Sequence, residues 1–192
     1  VEIRFTNKGG RVYSARLKDY KTHDSLPLIL FEGDEALLDF TLVTATNRVV
    51  NTAGMYFQAI PGNDPNTLTM RLSAGDGRHL DFTYTLSKDD YMVKMDIKGT
   101  GLNGVLSPST NALDINWEQK IRQQEKGRKF EDQYAAIYYK FVADDVEYLS
   151  ETKNDSKQLS NRLKWIAYKD KFFSTVLISE DGFEATNLAS NL

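Results

Sequence analysis

Apolar and polar residues alternate with a period of two along most of this chain, and that pattern restricts its fold more than any other feature of the sequence. Val1, Ile3 and Phe5 fall on one side of an extended backbone, and Glu2, Arg4 and Thr6 fall on the other. Successive side chains of a strand point to opposite faces, so a strand with one buried face carries an apolar residue at every second position. Asn7-Lys8-Gly9-Gly10 interrupts the pattern with residues that accept positive φ. Residues 12–17 then resume it, so residues 1–18 read as a hairpin. Leu28-Ile29-Leu30-Phe31 follows Pro27 as a short strand, and residues 40–43 and 55–60 read as two more. Pro61-Gly62-Asn63-Asp64-Pro65-Asn66 is a loop by composition.

The clearest run lies in the middle. Leu68, Met70 and Leu72 alternate, as do Leu80, Phe82, Tyr84 and Leu86, and then Tyr91, Val93, Met95 and Ile97. Gly75-Asp76-Gly77 and Ser87-Lys88-Asp89-Asp90 separate them, which makes an antiparallel meander. Leu113, Ile115 and Trp117 give another strand. Residues 118–132 are rich in Gln, Glu, Lys and Arg and read as a long solvated excursion, partly helical and broken near Gly127. Residues 134–142 and 146–149 return to strand, residues 153–162 read as a polar connection, and residues 164–168 and 172–178 close the core. Residues 187–192 show no closing element. About a dozen strands with little helix predict an all-β, antiparallel sandwich rather than parallel βαβ units. All four prolines fall in predicted loops or boundaries, as that reading requires. No repeat of fixed period points to a propeller or solenoid.

Composition narrows the function classes. Apolar residues make up 41% of the 192, including ten Phe, ten Tyr and two Trp, enough to bury a sizeable core. The net charge of −3 lacks the basic excess of a nucleic-acid binder. With no cysteine there is no thiolate nucleophile, no cysteine zinc site and no disulfide. No stretch approaches the roughly 20 apolar residues that cross a bilayer.

Candidate chemistry is sparse. His23 and His79 are the only histidines. His23 sits in a polar loop and His79 beside a turn, so both read as surface loop residues; a zinc site would need two carboxylates as well. Asp89 with Asp90, and Asp144 with Asp145, are acidic pairs that read as turn formers or, if a sugar cleft lay between them, as an acid and base. Asn63-Asp64-Pro65-Asn66 lacks the alternating acids of a helix–loop–helix calcium loop, and Gly9-Gly10 is followed by no Gly-Lys-Ser/Thr of a phosphate loop. No catalytic residue, cofactor or metal ligand is therefore assigned. Lys120, Arg122, Lys126, Arg128 and Lys129, interleaved with Glu118, Glu125, Glu131 and Asp132, read as a solvated face or, more sharply, as a partner-docking surface. Tyr134, Tyr138, Tyr139 and Phe141 with Trp165, Tyr168, Phe172 and Phe173 read as core, with a carbohydrate-binding groove as the alternative.

Three segments carry a resemblance. Phe5-Thr6-Asn7-Lys8-Gly9-Gly10, followed by residues 12–17 and Lys18-Asp19-Tyr20, resembles the opening hairpin of the periplasmic domain of the YidC insertases. The hairpin around Asp89-Asp90-Tyr91 resembles that family's central one, and Trp165-Ile166-Ala167-Tyr168-Lys169-Asp170-Lys171-Phe172-Phe173 resembles its late strand pair. The three come in the family's order and span nearly the whole chain; short loops and Lys/Asn-rich strands suggest a Bacteroidetes-type member. The resemblance implies an antiparallel β-supersandwich similar to the galactose mutarotase fold, without the mutarotases' catalytic histidines. It implies a single periplasmic domain over residues 1–192, excised from a multi-pass inner-membrane protein and truncated at its C-terminal edge. It further implies a non-catalytic scaffold that docks Sec translocon components and meets nascent membrane proteins through its parent, with no cofactor and no nucleic acid. Two alternatives remain: a carbohydrate-binding or sugar-modifying sandwich, and an adhesive or peptide-binding sandwich with an open edge strand.

Overall fold

The computed structural model describes residues 1–143 and 145–191. Within them sixteen strands, one five-residue helix and two single-turn 3-10 segments form, and the all-β, antiparallel class expected from the alternation is what the chain adopts. The chain divides into two compact units, one made of Val1–Lys18 and Phe31–Lys120, the other of Asp19–Leu30 and Ile121–Leu192.

The first unit holds the meander. Strands β6 (Gln58–Pro61), β7 (Thr67–Ser73), β8 (His79–Leu86) and β9 (Val93–Thr100) form a four-stranded sheet in that order. Its register explains the alternation. Leu68, Met70 and Leu72 lie opposite Tyr84, Phe82 and Leu80, so one face is apolar. The intervening positions pair Thr67 with Thr85, Thr69 with Thr83 and Arg71 with Asp81 on the other face. The Thr69 and Thr83 hydroxyls are 3.0 Å apart. The apolar face meets Phe40 and Leu42 of β4 (Ala36–Val43) and Phe57, and Phe82 stacks on Phe57 with centroids 4.9 Å apart. Burying a side chain of that size contributes about 2–3 kcal/mol. Strand β4 lies between β5 (Val49–Asn51) and β10 (Asp114–Gln119). Its buried Asp39 accepts hydrogen bonds from the side-chain amides of Asn51 and Asn116, which satisfies the carboxylate without an ion pair.

The opening hairpin is β1 (Glu2–Thr6) and β2 (Arg11–Lys21), as expected, and β2 lies next to β3 (Pro27–Glu32). The Asn7 to Gly10 turn reaches well beyond its own hairpin. The Gly9 amide donates to Met55 O at 2.8 Å, the Phe57 amide donates to Asn7 O at 2.8 Å, and the Tyr84 hydroxyl donates to Gly10 O at 2.9 Å. These bonds correct the strand expected over residues 55–60. Residues 52–54 form a 3-10 turn capped by the Asn51 side chain, residues 55–57 bond to the glycine turn, and only residues 58–61 join the sheet.

The second unit is built on a sheet ordered β12 (Val146–Tyr148), β11 (Ala136–Phe141), β14 (Leu163–Lys169) and β15 (Ser174–Phe183). Ile137, Tyr139, Leu163 and Ile166 share its buried face. Strands β13 (Asp155–Leu159) and β16 (Thr186–Ser190) pair with each other. Neither was expected: residues 153–162 read as a polar connection and residues 187–192 as showing no closing element. Asp-Ser-Lys-Gln-Leu is too polar to show strand periodicity, yet a ladder needs only backbone donors and acceptors, and Leu188 supplies the one fully buried apolar anchor of the pair. Among the described residues no helix is long and apolar enough to cross a membrane.

Candidate functional site

The excursion over residues 118–132 is less solvated than its composition predicts. Strand β10 runs to Gln119, and the helix α1 (Arg128–Asp132) begins directly after Gly127. Gln124, between them, and Glu131, within α1, are each only 3% exposed. The Glu131 carboxylate accepts from the amides of Gln124 at 2.8 Å and Glu125 at 3.2 Å, which closes the segment into a loop. The Gln124 side chain donates to Ile29 O at 3.0 Å, and its carbonyl accepts from the His23 amide at 3.2 Å. Two polar residues that read as surface therefore anchor the segment, and no local pattern marks them, because their partners lie at positions 22–32 of the chain or on one another.

That anchoring leaves the cations outside. Lys126, Arg128 and Lys129 are exposed and Arg122 is half-buried. Arg128 pairs with Asp132 at 3.4 Å, one helical turn on. Lys120 follows β10 in the first unit, where its amide donates to Glu35 O at 2.7 Å. The structure thus brings Arg122, Lys126, Arg128 and Lys129 onto one anchored segment of the second unit, while Lys120 belongs to the first.

The hairpin turn between β14 and β15 belongs to the same unit. Asp170, 6% exposed, accepts at one oxygen from the amides of Phe172 and Phe173, both at 2.7 Å, and its own amide donates to Phe173 O at 2.9 Å. The buried carboxylate fixes a four-residue turn in which Phe172 is exposed and Lys171 half-buried. The Lys171 ammonium lies 5.0 Å from the Phe172 ring centre, 5.5 Å from Phe130 and 5.8 Å from Tyr134.

The remaining candidates are engaged locally. His23 and His79 lie in different units. The His23 Nδ1 sits 3.2 Å from Gln124 O, and the His79 Nδ1 sits 3.0 Å from Gly77 O. His79 Nε2 also approaches Asp81 at 3.5 Å, but Arg71 already grips that carboxylate with two bonds of 2.7 and 2.8 Å. The arginine's hydrogen bonds hold the Asp81 carboxyl below the usual carboxylate range. Asp89 adopts φ +57° and Asp90 accepts from the amides of Tyr91 and Met92, so this pair forms a turn. Asp145 is exposed, and Asp144 lies outside the described residues.

Tyr139, Glu147 and Lys157 form a hydrogen-bonded cluster of acid–base residue types, with Tyr139 buried but the Lys157 and Glu147 side chains 37% and 52% exposed. The Tyr139 hydroxyl donates to Glu147 at 2.7 Å, and Lys157 donates to the hydroxyl at 2.8 Å and to Glu147 at 3.1 Å. Bonds from Tyr139 and Lys157 hold the Glu147 carboxyl below its ordinary range, and bonds to Tyr139 and Glu147 raise the Lys157 ammonium. Burial raises the Tyr139 phenol. Each shift favours the group's ordinary charge state. A general base or nucleophile needs the opposite shifts.

The eight candidate aromatics do not converge. By register, Tyr138 and Trp165 share one face of the β12-β11-β14-β15 sheet, while Tyr139, Phe141 and Tyr168 share the other. Tyr139 alone is fully buried; Phe172 and Tyr134 are exposed and the rest half-buried, so most of them are not the core the sequence suggested. The cause is a four-stranded sheet whose second face carries Tyr138, Trp165, Val176 and Ile178 without full cover. Among the described residues no three His, Asp or Glu side chains gather in metal-binding geometry.

What remains conspicuous is a set of fixed turns at the three places where the sequence resembled a known family. The YidC periplasmic domain family matches residues 1–191. The chain belongs to that family. A YidC periplasmic domain lies on the periplasmic side of the bacterial inner membrane. The chain is similar to the membrane protein insertase YidC of Parabacteroides distasonis, with 68% identity over 99% of this chain and 30% of that protein. It is 45% identical to the YidC of Bacteroides fragilis over 100% of this chain and 31% of that protein, and 40% identical to the YidC of Porphyromonas gingivalis over 98% and 30%. These relatives bear out the Bacteroidetes character. The chain spans about a third of the length of the YidC proteins it matches. No solved structure matches it.

Proposed function

We propose that this YidC periplasmic domain is a non-catalytic docking module, and that its parent inserts proteins into the inner membrane. Sec translocon components dock on Lys120, Arg122, Lys126, Arg128 and Lys129, and nascent membrane proteins meet the parent rather than this domain. The observation that carries the reading is the 121–132 segment. Buried Gln124 and Glu131 hold its backbone by side-chain hydrogen bonds, an investment that keeps Lys126, Arg128 and Lys129 exposed in a fixed place. A preordered cationic surface loses less entropy on docking than a mobile loop. The polar clusters support a non-catalytic role, since Asp81, Glu147 and Lys157 all shift away from acid–base competence. Both compact units take part in this one periplasmic domain.

The test is site-specific photo-cross-linking in the full-length parent within inner-membrane vesicles. A cross-linker replacing Lys126 or Lys129 should capture a Sec component, and one replacing Thr83, on the polar face of the β6–β9 sheet, should not. Equal capture at all three positions, or none at Lys126 and Lys129 with insertion intact, contradicts the docking site.

A further inference from the structure

We propose that the Lys171 turn is a membrane-contact site: Phe130, Tyr134 and Phe172 around the Lys171 ammonium rest on the anionic phospholipid headgroups of the bilayer. The inference rests on the family's placement at the inner membrane and is separate from the Sec reading.

Three observations carry it. The rings are exposed and lie around one cation, with Phe130 at 65%, Phe172 at 59% and Tyr134 at 43%. They project from a hairpin tip and a single-turn helix, and next to them Tyr20, also exposed, packs edge-on against Phe173 at 5.4 Å. Leaving such surface in water is unfavourable unless something covers it. Second, the cation sits among the rings rather than beyond them. A lysine whose stem runs along aromatic surface while its head reaches polar groups is suited to the headgroup boundary, where amphipathic rings also settle. Third, the local charge opposes that of the chain. Lys169 and Lys171 flank the buried Asp170 at the turn, and the Lys169 ammonium reaches Tyr134 O at 3.4 Å, in a chain whose net charge is −3. Of the nearby acids, Glu131 and Asp170 are buried on backbone amides, while Asp132 is exposed and pairs with Arg128.

Exposed rings set around a cation match an anionic lipid surface, where apolar groups bury at the headgroup boundary while the charge meets the headgroups. A cation near an anionic surface strengthens binding by about five-fold, and exchange of Lys171 for Glu is expected to weaken it about 30-fold.

The full 192-residue chain is mixed with vesicles of phosphatidylcholine alone or with added phosphatidylglycerol, and bound protein is measured by co-sedimentation. Binding to the phosphatidylglycerol vesicles that falls as salt rises is the expected result. Lys171→Glu and the pair Phe130→Ala with Phe172→Ala should each lose it, while Lys171→Arg keeps it. These variants spare all five proposed docking cations, so Sec cross-linking in the parent should persist when vesicle binding is lost. Circular dichroism confirms the fold of each variant. No binding to either vesicle, equal binding to both, or binding unchanged in Lys171→Glu overturns the proposal. Loss of Sec cross-links in these same variants with vesicle binding intact would assign the patch to a protein and overturn it as well.

Discussion

Gly10 adopts φ +62°, and a Cβ there would lie 2.7 Å from two atoms of the Phe57 ring. Both conditions exclude a side chain, because the left-handed region strains any L-residue and the ring is itself buried in the core. Gly75, at φ +76°, meets nothing within 4 Å. Gly10→Ala should therefore cost about 3 kcal/mol and Gly75→Ala only about 1 kcal/mol, a difference read from urea midpoints. Tyr84→Phe would leave the Gly10 carbonyl without its buried donor and should cost about 1–3 kcal/mol in the same assay. The three sequence segments that resembled the family gain their meaning at this scale. Each is a turn fixed by one or two residues: Gly9 and Gly10 by positive φ, Asp90 by accepting the Tyr91 and Met92 amides, Asp170 by accepting those of Phe172 and Phe173. Residues under such geometric demand are legible in a sequence because few types satisfy it.

Strands with one apolar face were legible for the same kind of reason. The β7, β8 and β9 meander appears in sequence as it does in space, since every second residue meets Phe40, Phe57 or a neighbour across the sheet. Strands β13 and β16 were not, because their pairing is carried by the backbone ladder, while Lys157 of β13 bonds instead to Tyr139 of β11 and Glu147 of β12. The anchored 121–132 segment escaped notice because Gln124 and Glu131 are buried through partners that no local period encodes. Cross-strand charge gives a pH-dependent element. Arg71 lowers the Asp81 carboxyl, so the pair stabilises the β7–β8 ladder above the ordinary carboxylate value, and that contribution fades as pH falls through the lowered one. Thermal unfolding between about pH 5 and pH 2 should show a smaller loss of melting temperature in Asp81→Asn than in the parent chain. An identical slope would mean that the bidentate pair adds nothing to the ladder. At the β14–β15 hairpin, Asp170→Ala removes the acceptor of two amides and should lower stability by about 1–3 kcal/mol.

For the molecule as a whole, the family match runs through both compact units, and the chain is about a third of the YidC proteins it matches. Its polar clusters read as struts: Arg71 with Asp81, and Tyr139 with Glu147 and Lys157, are held in their resting charge states. Its exposed surface carries cations on the anchored 121–132 segment and rings about Lys171. The direct measurement is the amount of Sec component that co-purifies with the full-length parent from detergent-solubilised inner membranes when Lys120, Arg122, Lys126, Arg128 and Lys129 are all changed to Glu. Loss of most of that component, with the parent's abundance unchanged, is the predicted result. Full retention of the Sec component would contradict the assignment of docking to this surface.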